Sequence, residues 1–207
     1  MANVKLAIIY YSATGTNYQL AQWAAEGGRA AGADVAIYKV QELMPPNVVE
    51  GNPAMKAHAE ATKDVPVATP DVIAQSDAII FSSPTRFGGM ASQMKQFIDT
   101  CGGIWFNGQT VNKVVSAMTS AQNDHGGQEA TVLSLYTSMC HWGAIIVPPG
   151  YTDPILFAAG GNPYGGSVSV DEKNEIRGDA NSIRQAAAHQ AKRVVTVAQW
   201  VKQGLQG

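Results

Sequence analysis

The chain has 207 residues, 45% of them hydrophobic, and its 14 basic and 16 acidic residues leave a formal charge of −2. That length and apolar content suit one domain with a sizeable core, and the balanced charge, with no lysine–arginine run, argues against the basic stripe of a nucleic-acid-binding surface. The two cysteines, Cys101 and Cys140, form neither a CxxC pair nor a zinc-ligand pattern and read as small buried thiols; with no signal-peptide pattern in Met1–Lys5 and no apolar run near the roughly 18 residues of a membrane span, a cytoplasmic protein is expected.

Along the chain, Lys5–Tyr11 is a continuous apolar run, as expected of a strand covered on both faces. It leads through Ser12-Ala13-Thr14-Gly15-Thr16-Asn17 into a helix over Thr16–Ala31, with Leu20 and Ala24 at helical spacing and a stop at Gly32. Asp34–Val40 reads as the second strand. Glu42–Pro70, rich in Pro and Ala, reads as a long loop with room for one short helix. Ala78–Ser82 is the third strand, followed by Ser83-Pro84-Thr85-Arg86-Phe87-Gly88-Gly89-Met90. A helix over Gln93–Thr100 sets Met94, Phe97 and Ile98 on one face. Trp105 and Phe106 follow in a glycine-flanked stretch, with Phe106 read as core.

The fourth strand is Val111–Met118, and Thr119 to Gly127 form the loop after it. The helix Gly127–Cys140 aligns Val132, Leu135, Tyr136 and Met139 and ends at His141, where a cation complements the helix dipole. Ala144–Val147 is the fifth strand. Pro148–Gly178 reads as a second long loop, of a length that is functional or disordered in a compact domain. A final helix runs from about Asp179, its N-cap, to Lys202, with an apolar stripe of Ile183, Ala187, Ala191, Val194, Ala198 and Val201. This alternation predicts an α/β fold over residues 1–207: a doubly wound, five-stranded parallel sheet of order 2-1-3-4-5, with helices on both faces and long loops at about 42–70 and 148–178.

In such sheets ligands bind beyond the carboxyl ends of the strands where the winding reverses, so the loops after strands one, three and four are the informative ones. The first surrounds a glycine with three hydroxyls at the start of a helix, a cradle for an anion. A single helix cap needs one hydroxyl rather than three. No GxxxxGK[ST] lysine and no GxGxxG is present, which suits a single terminal phosphate rather than a triphosphate or dinucleotide. The second loop combines a rigid proline, an aromatic and two glycines, and can pass close to a flat ring; its plainer reading is a turn with a surface arginine.

With these loops the chain resembles the WrbA family of flavodoxin-like NAD(P)H:quinone oxidoreductases. The resemblance covers nearly the whole chain in order, through Tyr10-Tyr11-Ser12, Met44-Pro45-Pro46, Ala68-Thr69-Pro70, Asp77-Ala78-Ile79-Ile80-Phe81 and Pro84-Thr85-Arg86-Phe87-Gly88. It continues through Gly102-Gly103 before Trp105, Gly126-Gly127-Gln128-Glu129, His141 with Gly143, Pro148 before Gly150-Tyr151, and Pro163-Tyr164-Gly165. It implies FMN as cofactor, NADH or NADPH as co-substrate, a quinone as acceptor, two-electron transfer and a homotetramer. By this resemblance FMN is held by Ser12, Ala13, Thr14, Gly15, Thr16 and Asn17, by Pro84, Thr85, Arg86, Phe87 and Gly88, and by Ser120, Ala121, Gln122, Asn123, Asp124, His125 and Gly126.

The resemblance further implies that His141 stands beside the flavin, contacting its edge or a bound quinone, and that Thr14, Phe87, Trp105 and Tyr164 border the substrate slot, Trp105 reaching it from a neighbouring subunit. The chain departs from the family at Asn123-Asp124-His125, where the family's loop is shorter and richer in Gly and Thr, and at Thr14, where a larger residue is common. His125 has a plainer reading as a solvated loop histidine. Two other functions share the fold: a one-electron flavodoxin carrier, which the weak net charge argues against, and a regulatory FMN-binding protein that associates with a transcription repressor, for which no docking surface is evident.

Overall fold

The apolar runs pair into one sheet. The computed structural model describes residues 3–205. In chain order its elements are β1 (Lys5–Tyr10), α1 (Thr16–Ala30), β2 (Asp34–Lys39), α2 (Pro46–Gly51), α3 (Pro53–Ala61), α4 (Pro70–Gln75), β3 (Ala78–Arg86), β4 (Gly89–Met90), α5 (Ser92–Thr100) and α6 (Gly102–Phe106). There follow β5 (Val114–Ala121), α7 (Gln128–His141), β6 (Ile145–Ile146), α8 (Ile155–Ala158), β7 (Ser167–Ser169) and α9 (Ala180–Gly204). The main order is β2-β1-β3-β5-β6, all parallel, which is the 2-1-3-4-5 winding expected of the five runs.

Strand alternation divides the core into two layers. On one face Ala7, Ile9, Ile79, Phe81, Val115 and Ala117 pack against Met94, Phe97 and Ile98 of α5 and Val132, Leu135 and Met139 of α7. On the other, Leu6, Ile8, Ile80, Val114 and Met118 pack against Leu20, Ala21 and Ala24 of α1 and Ile183, Ala187, Ala191 and Val194 of α9. The central strands are buried on both faces, which is why they read as unbroken apolar runs. Asp179 caps α9 as expected, accepting from the N–H groups of Asn181 and Ser182.

The structure corrects the sequence reading at several points. The fourth run lies three residues later than expected, because Val111 sits in a turn with Asn112 at φ 61 and pairing begins only at Val114. The segment at 42–70 holds α2 and α3 and meets α4 at Pro70, and the segment at 148–178 holds α8 and β7. β7 extends the sheet: β6 pairs with Val114 and Val115, while Ser167–Ser169 pair with Thr119–Ala121 further along the same side of β5. Phe106 is exposed rather than core, since the short α6 turns only Ile104 inward. Cys101 is buried, and burial pushes its thiol pKa up to about 11, whereas Cys140 lies on the solvent face of α7.

Candidate functional site

A cavity of about 620 Å³ opens at the carboxyl ends of β1, β3 and β5. This is the switch point, where α1 and α5 leave for opposite faces of the sheet. The volume is that of a pocket for a nucleotide-sized ligand.

Its first wall is the segment between β1 and α1. Ser12 Oγ accepts from the N–H of Gly15 (2.9 Å) and of Asn17 (3.2 Å), folding the chain into a tight loop. Gly15 caps α1 at φ 107, a conformation that glycine, lacking a Cβ, adopts at little cost. The N–H groups of Ala13, Thr14 and Thr16 find no acceptor among the described residues. They stand at the positive end of a 15-residue helix, so donors and dipole together suit an anion.

The second wall continues β3. Pro84, Thr85, Arg86 and Phe87 line the cavity. Thr85–Arg86 pair antiparallel with Gly89–Met90, and the two residues between, Phe87 and Gly88, have φ of 53 and 80. Positive φ at both central residues marks a type I′ hairpin, which ordinarily takes Asn-Gly. Phenylalanine there is strained and gains no packing, because its ring is fully exposed at the cavity mouth. The third wall is Ser120, Ala121, Gln122, Asn123 and Gly126. Gly127 starts α7 at φ 90, and a Cβ on it would lie 2.9 Å from Gly88 Cα, so the second and third walls touch through two glycines. Thr131 Oγ1 donates to Thr85 Oγ1 (2.7 Å), which donates to the Gly126 carbonyl (3.2 Å).

Beneath the cavity β3, β5 and the start of α1 are joined by a buried polar network that sequence reasoning did not anticipate. Asn17 Nδ2 donates to Ser82 Oγ (3.1 Å), Ser82 Oγ donates back to the Asn17 carbonyl (3.1 Å), and Ser120 Oγ donates to Asn17 Oδ1. A second network borders the site. Gln93 Nε2 donates to Tyr11 Oη (2.8 Å) and to Glu42 Oε1 (2.7 Å), and Tyr11 Oη donates to Glu42 Oε2 (3.0 Å). Burial raises the Glu42 pKa, but the donors from Met44, Gln93, Tyr11 and Leu43 outweigh it and hold the carboxyl below its ordinary value. Burial, reinforced by the Glu42 charge, pushes the Tyr11 phenol well up.

Fourteen of the expected residues therefore line one cavity: Ser12, Ala13, Thr14, Thr16, Asn17, Pro84, Thr85, Arg86, Phe87, Ser120, Ala121, Gln122, Asn123 and Gly126. Gly15 and Gly88 shape its walls without lining it. Asp124 lines a neighbouring hollow, and His125 is exposed, its N–H donating to Asn123 Oδ1 (3.0 Å). His141, Trp105 and Tyr164 do not line the cavity of their own chain. His141 is exposed at the opposite end of α7, its carbonyl accepting from Trp105 Nε1 (2.8 Å), and the Tyr164 carbonyl accepts from Tyr136 Oη (2.6 Å). Four lining residues were not anticipated: Asn52, Met55, Val170 and Asn174. For the first two the signal was present, an Asn-Pro pair opening a helix, since Asn52 caps α3 and Pro53 is its first residue.

Comparison with known proteins agrees with this geometry. Residues 4–153 match the family model described as NADPH-dependent FMN reductase. The chain is 56% identical over 194 residues to the NAD(P)H dehydrogenase (quinone) of Deinococcus radiodurans, covering 94% of this chain and 95% of that one. It is 39% identical to the protein of the same name from Geotalea uraniireducens, covering 94% and 98%. Among solved structures, a flavodoxin described as WrbA-like, from Agrobacterium tumefaciens, superposes with a TM-score of 0.63 at 19% identity over 96% of this chain and 99% of that one. An archaeal flavodoxin superposes at 0.58 and 15% identity, over 96% and 99%. Those structures show the shared flavodoxin-like fold, and the family match and the sequence identities place the chain itself: it belongs to the NADPH-dependent FMN reductase family, among its NAD(P)H dehydrogenases (quinone).

Proposed function

We propose that the protein binds FMN in the switch-point cavity and reduces quinones with electrons from NADH or NADPH, two at a time. The open N–H groups of Ala13, Thr14 and Thr16 at the start of α1 carry this reading, because they offer a phosphomonoester several donors and a helix dipole without a competing internal partner. The segments Pro84–Gly88 and Ser120–Gly126 would hold the ring end, with Arg86 lining the cavity as its nearby cation. When bound, FMN supplies the hydride-accepting and quinone-reducing chemistry; the chain binds, orients and shields. Phe87 borders the open side, where a planar substrate stacks, while Thr14, expected beside it, turns its hydroxyl to Asn174 at the phosphate end.

A WrbA-type homotetramer in the cytoplasm completes the reading. Trp105, Tyr164 and His141 lie outside the cavity of their own chain, and Trp105 is half exposed on a short helix that carries the exposed Phe106. In the proposed assembly these groups reach a neighbouring chain's cavity, Trp105 and Tyr164 as walls and His141 at the flavin edge or the quinone oxygen.

The test is to titrate the apoprotein with FMN, then follow NADH and NADPH oxidation with benzoquinone added. Saturable FMN binding followed by quinone-dependent turnover is expected. FMN binding with no turnover would reduce the protein to a carrier or a regulator, and failure to bind FMN would overturn the reading of all three walls.

A further inference from the structure

Two hollows meet at Asn174. On one side lies the cavity already described. On the other, a shallower hollow of about 350 Å³ lies outside the α1 loop, bordered by Gly15, Tyr18, Gln19, Gln22 and Ile176. Thr14, Thr16 and Asn174 line both, so they form the partition between them. The partition is latched by one hydrogen bond, from Thr14 Oγ1 to Asn174 Oδ1 (3.1 Å).

Asn174 is held in place from its own side. It lies in a turn closed by an antiparallel bridge between Val170 and Ile176 and by the bond from Asp171 N–H to the Glu175 carbonyl (2.9 Å). Asp171 Oδ1 accepts from the N–H groups of Lys173 (2.8 Å) and Glu175 (2.9 Å). Asn174 takes φ 63, which asparagine tolerates better than most residues. Its oxygen is occupied by Thr14, and its Nδ2 has no acceptor among the described residues. Asn52 repeats the arrangement across the cavity: its Oδ1 accepts from Ala54 and Met55, and its Nδ2 has no acceptor among the described residues. The cavity thus gains two neutral amide donors from segments outside the three loops.

We propose that the Thr14–Asn174 latch is a specificity gate that admits a flavin mononucleotide and excludes FAD. A mononucleotide ends in a phosphomonoester, which the open N–H groups of the α1 loop and the free amide of Asn174 can surround. In FAD the same phosphate continues into a second phosphate and an adenosine, and the outer hollow across the partition is the space beside the α1 loop that would receive them. The closed latch blocks the way into it. This inference rests on the assignment of FMN to the cavity and adds the residue that sets the choice between the two flavin nucleotides.

The experiment measures binding, not turnover. Apoprotein is titrated with riboflavin, FMN and FAD, following flavin fluorescence, for the wild type, Asn174→Gly and Thr14→Val. Glycine keeps the backbone at φ 63 without strain, so Asn174→Gly removes the side chain alone. The wild type is expected to prefer FMN over FAD at least about tenfold. In Asn174→Gly, FMN binding weakens about ten- to a hundredfold, as one lost hydrogen bond to a charged group implies, riboflavin binding is unchanged and FAD binding tightens. Thr14→Val breaks the latch from the other side with little change in shape and lowers the FMN:FAD preference in the same direction. A wild type that binds FAD as tightly as FMN, or variants that keep the wild-type preference, overturn the gate while leaving FMN binding intact. A wild type that binds none of the three flavins removes the assignment of FMN and the gate together.

Discussion

The network beneath the cavity makes a quantitative prediction at Asn17. This residue is 1% exposed, and its side chain ties the start of α1 to β3 and β5. Asn17→Ala removes the bond to Ser82 and strands the Ser120 hydroxyl, which has donated to Asn17 Oδ1. Two net hydrogen bonds at about 1 kcal/mol each, with about 1 kcal/mol for the buried hydroxyl left unpaired, sum to about 2–4 kcal/mol. Ser82 keeps its bond to the Asn17 carbonyl, and Asn17 N–H keeps its bond to Ser12, so the loop keeps its path and the loss is confined to the side chain. For a chain of this size each kcal/mol lowers Tm by about 2–4 °C, so a fall of about 5–15 °C is expected. The assay is thermal unfolding of the apoprotein by far-UV circular dichroism, with Ser120→Ala and the double variant alongside. Because both single variants break the same bond, the double variant should cost about 1 kcal/mol less than their sum. Additive losses, or an Asn17→Ala Tm within about 2 °C of the wild type, would refute the idea that this network holds the strand ends together.

Two further outcomes test the borders of the site. Glu42 has a folded pKa held below its ordinary value near 4.5, so it contributes stability that is present above that value and lost as pH falls through the folded one. Glu42→Gln should therefore be less stable than the wild type at neutral pH, with the gap closing as pH falls below 4.5; Tm curves that stay parallel across that range would contradict this. Phe87→Gly removes a left-handed non-glycine residue that packs against nothing. Relief of about 1–2 kcal/mol of backbone strain is set against about 0.4–1 kcal/mol of added unfolded-chain entropy. Stability should hold or rise while kcat/KM for benzoquinone falls, and a clear drop in Tm would show that the ring does pack in the native state.

Much of this site is legible in the sequence because its framework obeys local rules. Strands buried on both faces appear as unbroken apolar runs, helices as stripes, and the switch-point rule then points to the loops after β1, β3 and β5. What the sequence hides is long-range pairing. Ser167–Ser169 becomes a strand only because the end of β5 offers it an edge, and Asn174 reaches the cavity through a bond to a residue 160 positions away. Neither carries a periodic signal. Phe-Gly at a type I′ turn and an asparagine buried among serines are different: each breaks a local preference outright. Both departures lie at the same end of the sheet, one at the mouth of the cavity and one beneath its floor. A fold selected for stability alone would place Asn at the turn and apolar side chains under the floor. Strain and buried polarity gathered around one cavity are what a ligand-binding site requires, where an exposed ring must meet a planar partner and the strand ends must be held in register without filling the space above them.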